Sequence, residues 1–250
     1  MMRRLIFITL YILTSTTTIF AETKGSIALI QSTFVWGDVE ANMASFEKKI
    51  LSIKECSLII LPELFTSGCD MQKRERESKI AAKRGVAYKY TDIVTTMQRW
   101  AKETNAVIVG STIYEENNLF YNRLLAVYPS GEYLHYDKHN CFKMGGFAAG
   151  TEHLVIEIGG DRFATYICYD LRFPEWSRND NRYDTAIYIA NWPTSRSDDW
   201  STLLRERAIE NRAHVIGVNC VGTDLGGVTY MGDSSIYAPD GSLVAACKSN

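Results

Sequence analysis

The 250-residue sequence contains no Cys-x-x-Cys pair, no marked excess of charge of either sign and no apolar run long enough to cross a bilayer. Its six cysteines, Cys56, Cys69, Cys141, Cys168, Cys220 and Cys247, are scattered. That spacing excludes a zinc ribbon and a thioredoxin-type pair and leaves each thiol to be judged alone. Lys and Arg total 27 against 29 Asp and Glu, a formal net charge of -2, so no overall field favours nucleic acid or an anionic membrane. The expected partner is a small molecule held locally. Histidine is scarce, with only His135, His139, His153 and His214, and there is no internal repeat or linker. What the chain does have is 46% hydrophobic and 12% aromatic residues, enough for one large core and too much for disorder.

Residues 1–21 read MMRRLIFITLYILTSTTTIFA: Arg3 and Arg4, an apolar run over 5–13, then small polar residues ending at Ala21. This is the layout of a secretory signal peptide, although Ile19 stands where a small residue is preferred before the cut. The apolar run is far shorter than the roughly 20 residues a membrane-spanning helix needs, so no stable membrane anchor is expected. The reading predicts cleavage after Ala21 and an exported protein, periplasmic or secreted; an uncut chain would be cytoplasmic. The domain then occupies residues 22–250. Its charge balance is 25 basic against 29 acidic residues, or -4, because the leader takes away two arginines and no acids.

From Ser26 onward, strand-length apolar runs alternate with amphipathic stretches, the signature of an α/β domain. Strands are expected at 26–31, 57–61, 106–110, 123–128, 133–136, 154–158, 163–167, 185–190, 214–220, 234–237 and 243–247. Helices are expected at 41–53, 87–104 and 198–211. Pro129-Ser130-Gly131 and Gly159-Gly160-Asp161 read as hairpin turns. Residues 73–84 carry six basic and two acidic side chains and read as a solvated surface segment.

Three polar residues follow strand ends, where an α/β sheet fixes position and leaves side chains available: Glu63, Lys138 and Cys168. A carboxylate, an ammonium and a thiol suffice for metal-free acyl hydrolysis. A thiol with its ordinary pKa near 8.5 needs a base or a neighbouring cation to become an effective nucleophile, and Glu63 and Lys138 supply those roles. Each residue taken singly has a plainer reading, Cys168 as a buried strand cysteine and Glu63 with Lys138 as a surface pair.

The segments LPELFTSG, YDKHNCF and ICYDLRFPEWSRN, with YIANWPTSRSDDW, LRERAIENRAHVIGVNCVG and GDSSIYAPDGSLVA, resemble the nitrilase (carbon-nitrogen hydrolase) superfamily. The likeness covers the chain after residue 25 and is nearest to the ω-amidase, or 2-oxoglutaramate amidase, branch. It implies a four-layer αββα sandwich, a homodimer, no cofactor, and a catalytic Glu63-Lys138-Cys168 triad. It further implies hydrolysis of a small ω-amide such as 2-oxoglutaramate or succinamate through a Cys168 thioester. The oxyanion would be held by Lys138 and the Tyr169 backbone N–H, and Tyr169, Asn191 and Trp192 would line the substrate pocket. Arg172 and Glu175 are implied as an ion pair behind the nucleophile.

Two departures accompany the resemblance. The glutamate that the family places after its lysine motif is missing from KMGGFAAG at 143–150, with Glu152 the nearest acid. The sequence also stops at Asn250, where relatives continue with a further strand and a tail used in dimer contacts.

Other readings stay open at this level. The same triad could act on a nitrile or an N-carbamoyl compound, or the fold could persist as a non-catalytic ligand-binding relative. A papain-like site would need a histidine base, and His214 opens a strand that reads as buried. His135, His139 and Cys141 could be drawn as metal ligands. However, on a strand at 133–136 the His-x3-His spacing puts both rings on one face only across a long rise, and no metal is expected.

Overall fold

The computed structural model describes residues 11–13, 17–22, 25–68, 76–142 and 145–248. The first half of the chain contributes β1 (Tyr11–Leu13), β2 (Thr17–Glu22), β3 (Gly25–Ile30), α1 (Val39–Ser52), β4 (Leu58–Ile60), α2 (Arg76–Ala87) and α3 (Tyr90–Thr104). β5 (Val107–Glu116), β6 (Leu119–Val127) and β7 (Tyr133–Asp137) complete it. The second half contributes β8 (Val155–Ile158), β9 (Asp161–Ile167), β10 (Thr185–Ala190), α4 (Ser197–Asn211) and β11 (His214–Asn219). The short strands β12 (Val221–Thr223), β13 (Thr229–Met231), β14 (Ser235–Tyr237) and β15 (Leu243–Ala246) follow.

Among the described residues, β1 to β7 form one sheet in sequence order, and a second sheet runs β15-β14-β11-β10-β9-β8. β3, β4 and β5 are parallel, as are β9, β10 and β11. Parallel strands covered on both faces need apolar residues on both sides of the pleat, which explains the unbroken runs LII at 58–60 and TAIYIA at 185–190.

The pleat sorts these runs into layers. Leu58, Ile60, Val107 and Val109 of the first sheet meet Ile167, Ile187, Ile189 and Val218 of the second in a buried core between the sheets. Ile59 and Ile108 face the other way, onto Phe46 and Ile50 of α1 and Met97 and Trp100 of α3. Ala186, Tyr188 and Ala190 of β10 face Trp200, Leu204 and Ala208 of α4. The stack is helix, sheet, sheet, helix: the four-layer αββα sandwich expected from the sequence.

The structure departs from the sequence reading in several places. The basic segment at 73–84 is not merely solvated: from Arg76 it forms α2, which packs on β5, and Arg84 pairs with Glu115 at 2.8 Å. The part of that segment before Arg76 lies outside the described residues. The helix expected from residue 87 begins at Tyr90, after a break at Tyr88 and Lys89.

β5 runs on past Gly110 to Glu116 and pairs with β6 through Asn117 and Asn118, both left-handed at φ 51° and 61°. Two positive-φ residues form the kind of tight turn that suits a hairpin. The polar Ser111 and Thr112 hid this extension, yet both are buried and satisfied. Ser111 Oγ accepts from Leu64 N at 2.8 Å, and Thr112 Oγ1 bonds to Thr66 Oγ1 at 2.9 Å.

Within residues 1–21, residues 1–10 and 14–16 lie outside the described residues, and residues 17–21 pair antiparallel with β3 in the register Ala21 to Ser26.

Candidate active site

Glu63 follows β4, Lys138 follows β7 and Cys168 follows β9, so the three come from both sheets. The structure brings Glu63 and Lys138 into direct contact in the interior: Lys138 Nζ donates to Glu63 Oε1 at 2.7 Å, and both side chains are about 95% buried. Glu63 accepts two more bonds, from Asn122 Nδ2 to Oε1 and from the Asn191 backbone N–H to Oε2, each at 2.8 Å. A carboxylate offers about four lone-pair sites. Three are filled, leaving one for a thiol or water proton.

Burial works against the Lys138 ammonium, but the charges of Glu63, Cys168 and Asp170 outweigh it and hold its pKa above the usual lysine range. Lys138 is therefore a fixed cation at neutral pH, suited to stabilising an oxyanion. One of its three N–H bonds goes to Glu63.

Cys168 sits where β9 turns into a 3-10 turn over Cys168–Arg172. Its φ of 47° lies in the left-handed region, a strained placement for a non-glycine residue that projects the side chain off the strand end. Asp170 holds this turn. It is fully buried and accepts from Ile167 N at 2.9 Å, Tyr136 Oη at 2.8 Å, Asn140 N at 2.7 Å and Asn140 Nδ2 at 3.1 Å. Asp170 thereby ties the nucleophile turn to the lysine loop. Burial raises its pKa despite the nearby Lys138 charge and these donors.

Glu63, Lys138, Cys168, Tyr169, Asn191 and Trp192 all line one cavity of about 60 Å³. Tyr169 packs edge-on against Phe142 and Phe173. Asn191 is chiefly a brace for Glu63, since its side-chain amide donates to the Glu63 carbonyl at 3.0 Å, yet its Oδ1 is buried with no hydrogen-bond partner among the described residues. Trp192 is buried, with its backbone held on both sides by Asn219: Trp192 N donates to Oδ1 at 2.8 Å and Nδ2 donates to Trp192 O at 3.0 Å.

Sequence reasoning missed Asn122, which donates to Glu63 itself, and Asp170 and Asn219, which hold the triad's neighbours; folding alone brings each to the site. The signal available for each was a polar residue in or beside an apolar strand run. Arg172 pairs with Asp199 at 2.5 Å instead of with Glu175, which is exposed. Helix α4 presents Asp199 to it, a tertiary contact that a four-residue motif does not reveal.

Glu152 is exposed and does not replace the missing family glutamate. Among the described residues Glu63 is the carboxylate in contact with Lys138, and Asp170 adds a second negative charge nearby. His139 stacks on Trp176 at 3.5 Å with its Nδ1 2.6 Å from the Gly150 carbonyl, and His135 lies on β7. A larger cavity of about 200 Å³ lies beside α2, lined by residues such as Trp36, Lys79 and Phe147 and by none of the triad.

A thiol, a buried ammonium and a buried carboxylate around one small cavity can carry out acyl transfer to sulfur followed by hydrolysis. The comparisons with known proteins agree. The chain is 41% identical over 223 residues to omega-amidase YafV of Escherichia coli (strain K12), covering 88% of this chain and 83% of that protein. It is 29% identical over 235 residues to the 2-oxoglutaramate amidase of Bacillus subtilis (strain 168), covering 89% and 86%. The crystal structure of XC1258 from Xanthomonas campestris, a CN-hydrolase superfamily protein with an arsenic adduct in its active site, superposes with a TM-score of 0.82 at 33% identity. That superposition covers 90% of this chain and 86% of XC1258. The carbon-nitrogen hydrolase family model matches residues 26–250, and the chain belongs to that family.

Proposed function

We propose that the protein hydrolyses the terminal amide of a small ω-amide, of the 2-oxoglutaramate or succinamate kind, to a carboxylate and ammonia. The observation that carries this reading is the buried Glu63 to Lys138 contact on the cavity that Cys168 also lines. The substrate class is supported by the names of the relatives above.

Glu63 takes the Cys168 proton through its remaining acceptor site, and the sulfur attacks the amide carbonyl to form a C–S bond. The oxyanion is held by the Lys138 ammonium and the Tyr169 backbone N–H, which lies early in the 3-10 turn where amides lack intrahelical acceptors. Glu63 returns the proton to the departing nitrogen as the C–N bond breaks, releasing ammonia and leaving a thioester. Water then attacks the thioester with Glu63 taking its proton, the C–S bond breaks, and the thiol is regenerated as the carboxylate leaves. The unpartnered Asn191 Oδ1 is placed to accept from the substrate's amide N–H, and Tyr169 and Trp192 form the walls.

The assay is ammonia release from succinamate, 2-oxoglutaramate and glutamine, with Cys168→Ala as control. Turnover of an ω-amide that vanishes in the variant is expected. No turnover of any amide by the wild type contradicts the reading.

Residues 1–21 act in this reading as a cleaved export leader, supported by the Arg3-Arg4 and apolar-run layout and by a family match that starts only at residue 26. Cleavage after Ala21 would cut within β2 and leave β3 at the sheet edge. Intact mass spectrometry of the protein from its native source should find a chain beginning at Glu22; a soluble cytosolic chain retaining Met1 overturns the export reading. The protein also acts as a homodimer in this reading, supported by Ile209 on α4 and Leu243 on β15, which are exposed to solvent. Light scattering on the purified protein tests this, and a monomer at micromolar concentration contradicts it.

A further inference from the structure

We infer that Arg196 is the specificity-determining residue that receives the distal carboxylate of the substrate. The inference rests on the amidase reading of the Cys168 cavity.

Besides Lys138, that cavity is lined by two further basic residues, Arg172 and Arg196. Pairing off the cations separates the two. Lys138 is engaged by Glu63 at 2.7 Å, and Arg172 by Asp199 at 2.5 Å. Among the described residues Arg196 has no carboxylate partner, so the wall facing the nucleophile carries one uncompensated positive charge.

The backbone of Arg196 is nevertheless fixed. Its carbonyl accepts from Trp192 Nε1 at 2.6 Å, and its N–H donates to the Pro193 carbonyl at 3.0 Å. Trp192 is buried and held by Asn219, so the root of the Arg196 side chain is anchored to the cavity wall. The guanidinium lies 5.9 Å from the centre of the Trp192 ring, and that of Arg172 lies 4.9 Å from it. The aromatic ring lies beside both groups; Arg172 spends its N–H edge on Asp199, while that of Arg196 meets no carboxylate among the described residues and suits planar, bidentate recognition of one. Arg196 is only partly buried, so its charge remains solvated when the cavity is empty and meets an anion without the cost of an isolated buried charge.

The consequence is selectivity at the end of the substrate remote from the reaction. An amide with a short chain ending in a carboxylate is retained, while a neutral amide of the same length reaches Cys168 without that anchor.

The test is calorimetric titration of the wild type, Arg196→Ala, Arg196→Gln and Arg196→Lys with succinate, whose second carboxylate stands where the substrate's tail would lie. It is joined by kcat/KM for succinamate relative to butyramide. We expect succinate affinity and the succinamate preference to fall at least tenfold in Arg196→Ala and Arg196→Gln, with partial recovery in Arg196→Lys. The backbone bonds of residue 196 survive in all three variants, and glutamine keeps a polar side chain should alanine disturb the wall. Succinate binding that is equal in all four proteins, or undetectable in the wild type, overturns the inference.

The two readings fail separately. Succinate binding that depends on Arg196 without any ammonia release sinks the amidase reading and leaves the anion site standing. Ammonia release that does not distinguish succinamate from butyramide, with succinate binding indifferent to residue 196, does the reverse.

Discussion

At the scale of single residues, the site works by making each charge answer to another. Glu63 would be costly to bury alone, and Lys138 equally so; paired at 2.7 Å and braced by Asn122 and Asn191, they persist in the interior as a base and an oxyanion donor. Lys138→Ala should lower kcat for amide hydrolysis by about 10² to 10³, the usual consequence of losing one oxyanion donor, and steady-state ammonia release checks it. The cysteines divide in the same way. Burial pushes Cys56 and Cys141 up to about 11, so their thiolates are scarce at pH 7.5. Cys168 lines the cavity beside the Lys138 charge. Iodoacetamide at pH 7.5 should therefore label Cys168 well ahead of Cys56 and Cys141, as peptide mapping can show, and equal labelling would contradict the assignment.

The placement of Glu63, Lys138 and Cys168 was readable because each stands at or just past the end of a strand-like run, where a polar residue stands out in the sequence. Asp170 was not readable. It lies two residues past Cys168 in a motif, and its importance comes from donors at Tyr136 and Asn140, some thirty positions away, which only folding brings to it. Asp170→Asn should lose charge-assisted bonds worth about 1.5–3 kcal/mol each, seen as a lower melting temperature together with reduced turnover. Its raised pKa also carries a sign. A carboxyl that holds its proton more tightly folded than unfolded contributes stability below its unfolded value, and that contribution is lost as pH rises through the higher folded value. The stability advantage of wild type over Asp170→Asn should therefore be largest at acid pH and narrow as pH rises above the ordinary aspartate range, while the variant shows no such dependence from this position.

At the scale of elements, strand exits position the chemistry and close packing fixes them. The exit of β7 is clamped from outside: Arg123 holds Asp137 with two bonds of 2.7 and 2.8 Å, and Gly150 donates its N–H to the Lys138 carbonyl at 3.0 Å. A Cβ at position 150 would lie 2.3 Å from the Asp137 carbonyl oxygen, a backbone atom that cannot swing aside. Gly150→Ala should displace the lysine loop, lowering both melting temperature and kcat, whereas Gly85→Ala on α2, with nothing within 4 Å of the added carbon, should disturb activity far less. Strands and the three long helices were legible from periodicity, because pleat and helix faces sort apolar residues so cleanly here. Helix α2 was hidden by its five charged residues, and the far half of β5 by Ser111 and Thr112, whose hydroxyls are satisfied by the turn that carries Glu63. Both failures have one cause: tertiary partners make polar sequence compatible with regular, partly buried structure.

At the scale of the whole molecule, the site exists only when the two sheets meet. Glu63 from the first sheet is held by Asn191 from the second, and the residues between the sheets form one continuous core. Ile187→Ala, at a fully buried position in that core, should cost about 2–5 kcal/mol in urea unfolding. The layered fold was legible as a class from alternating strands and helices, and its four layers from the family motifs. The cross-sheet bond between Glu63 and Asn191 was legible from neither, since 128 positions separate its ends.

If Cys168 forms a thioester with an ω-amide, and Glu63 and Lys138 drive its formation and hydrolysis, the covalent intermediate is there to be trapped. Rapid acid quench of wild-type protein mixed with succinamate, followed by intact mass spectrometry and peptide mapping, should show a succinyl adduct on Cys168 appearing together with released ammonia. The adduct should be absent from Cys168→Ala. Ammonia release with no adduct on Cys168, or an adduct on another residue, would contradict the account.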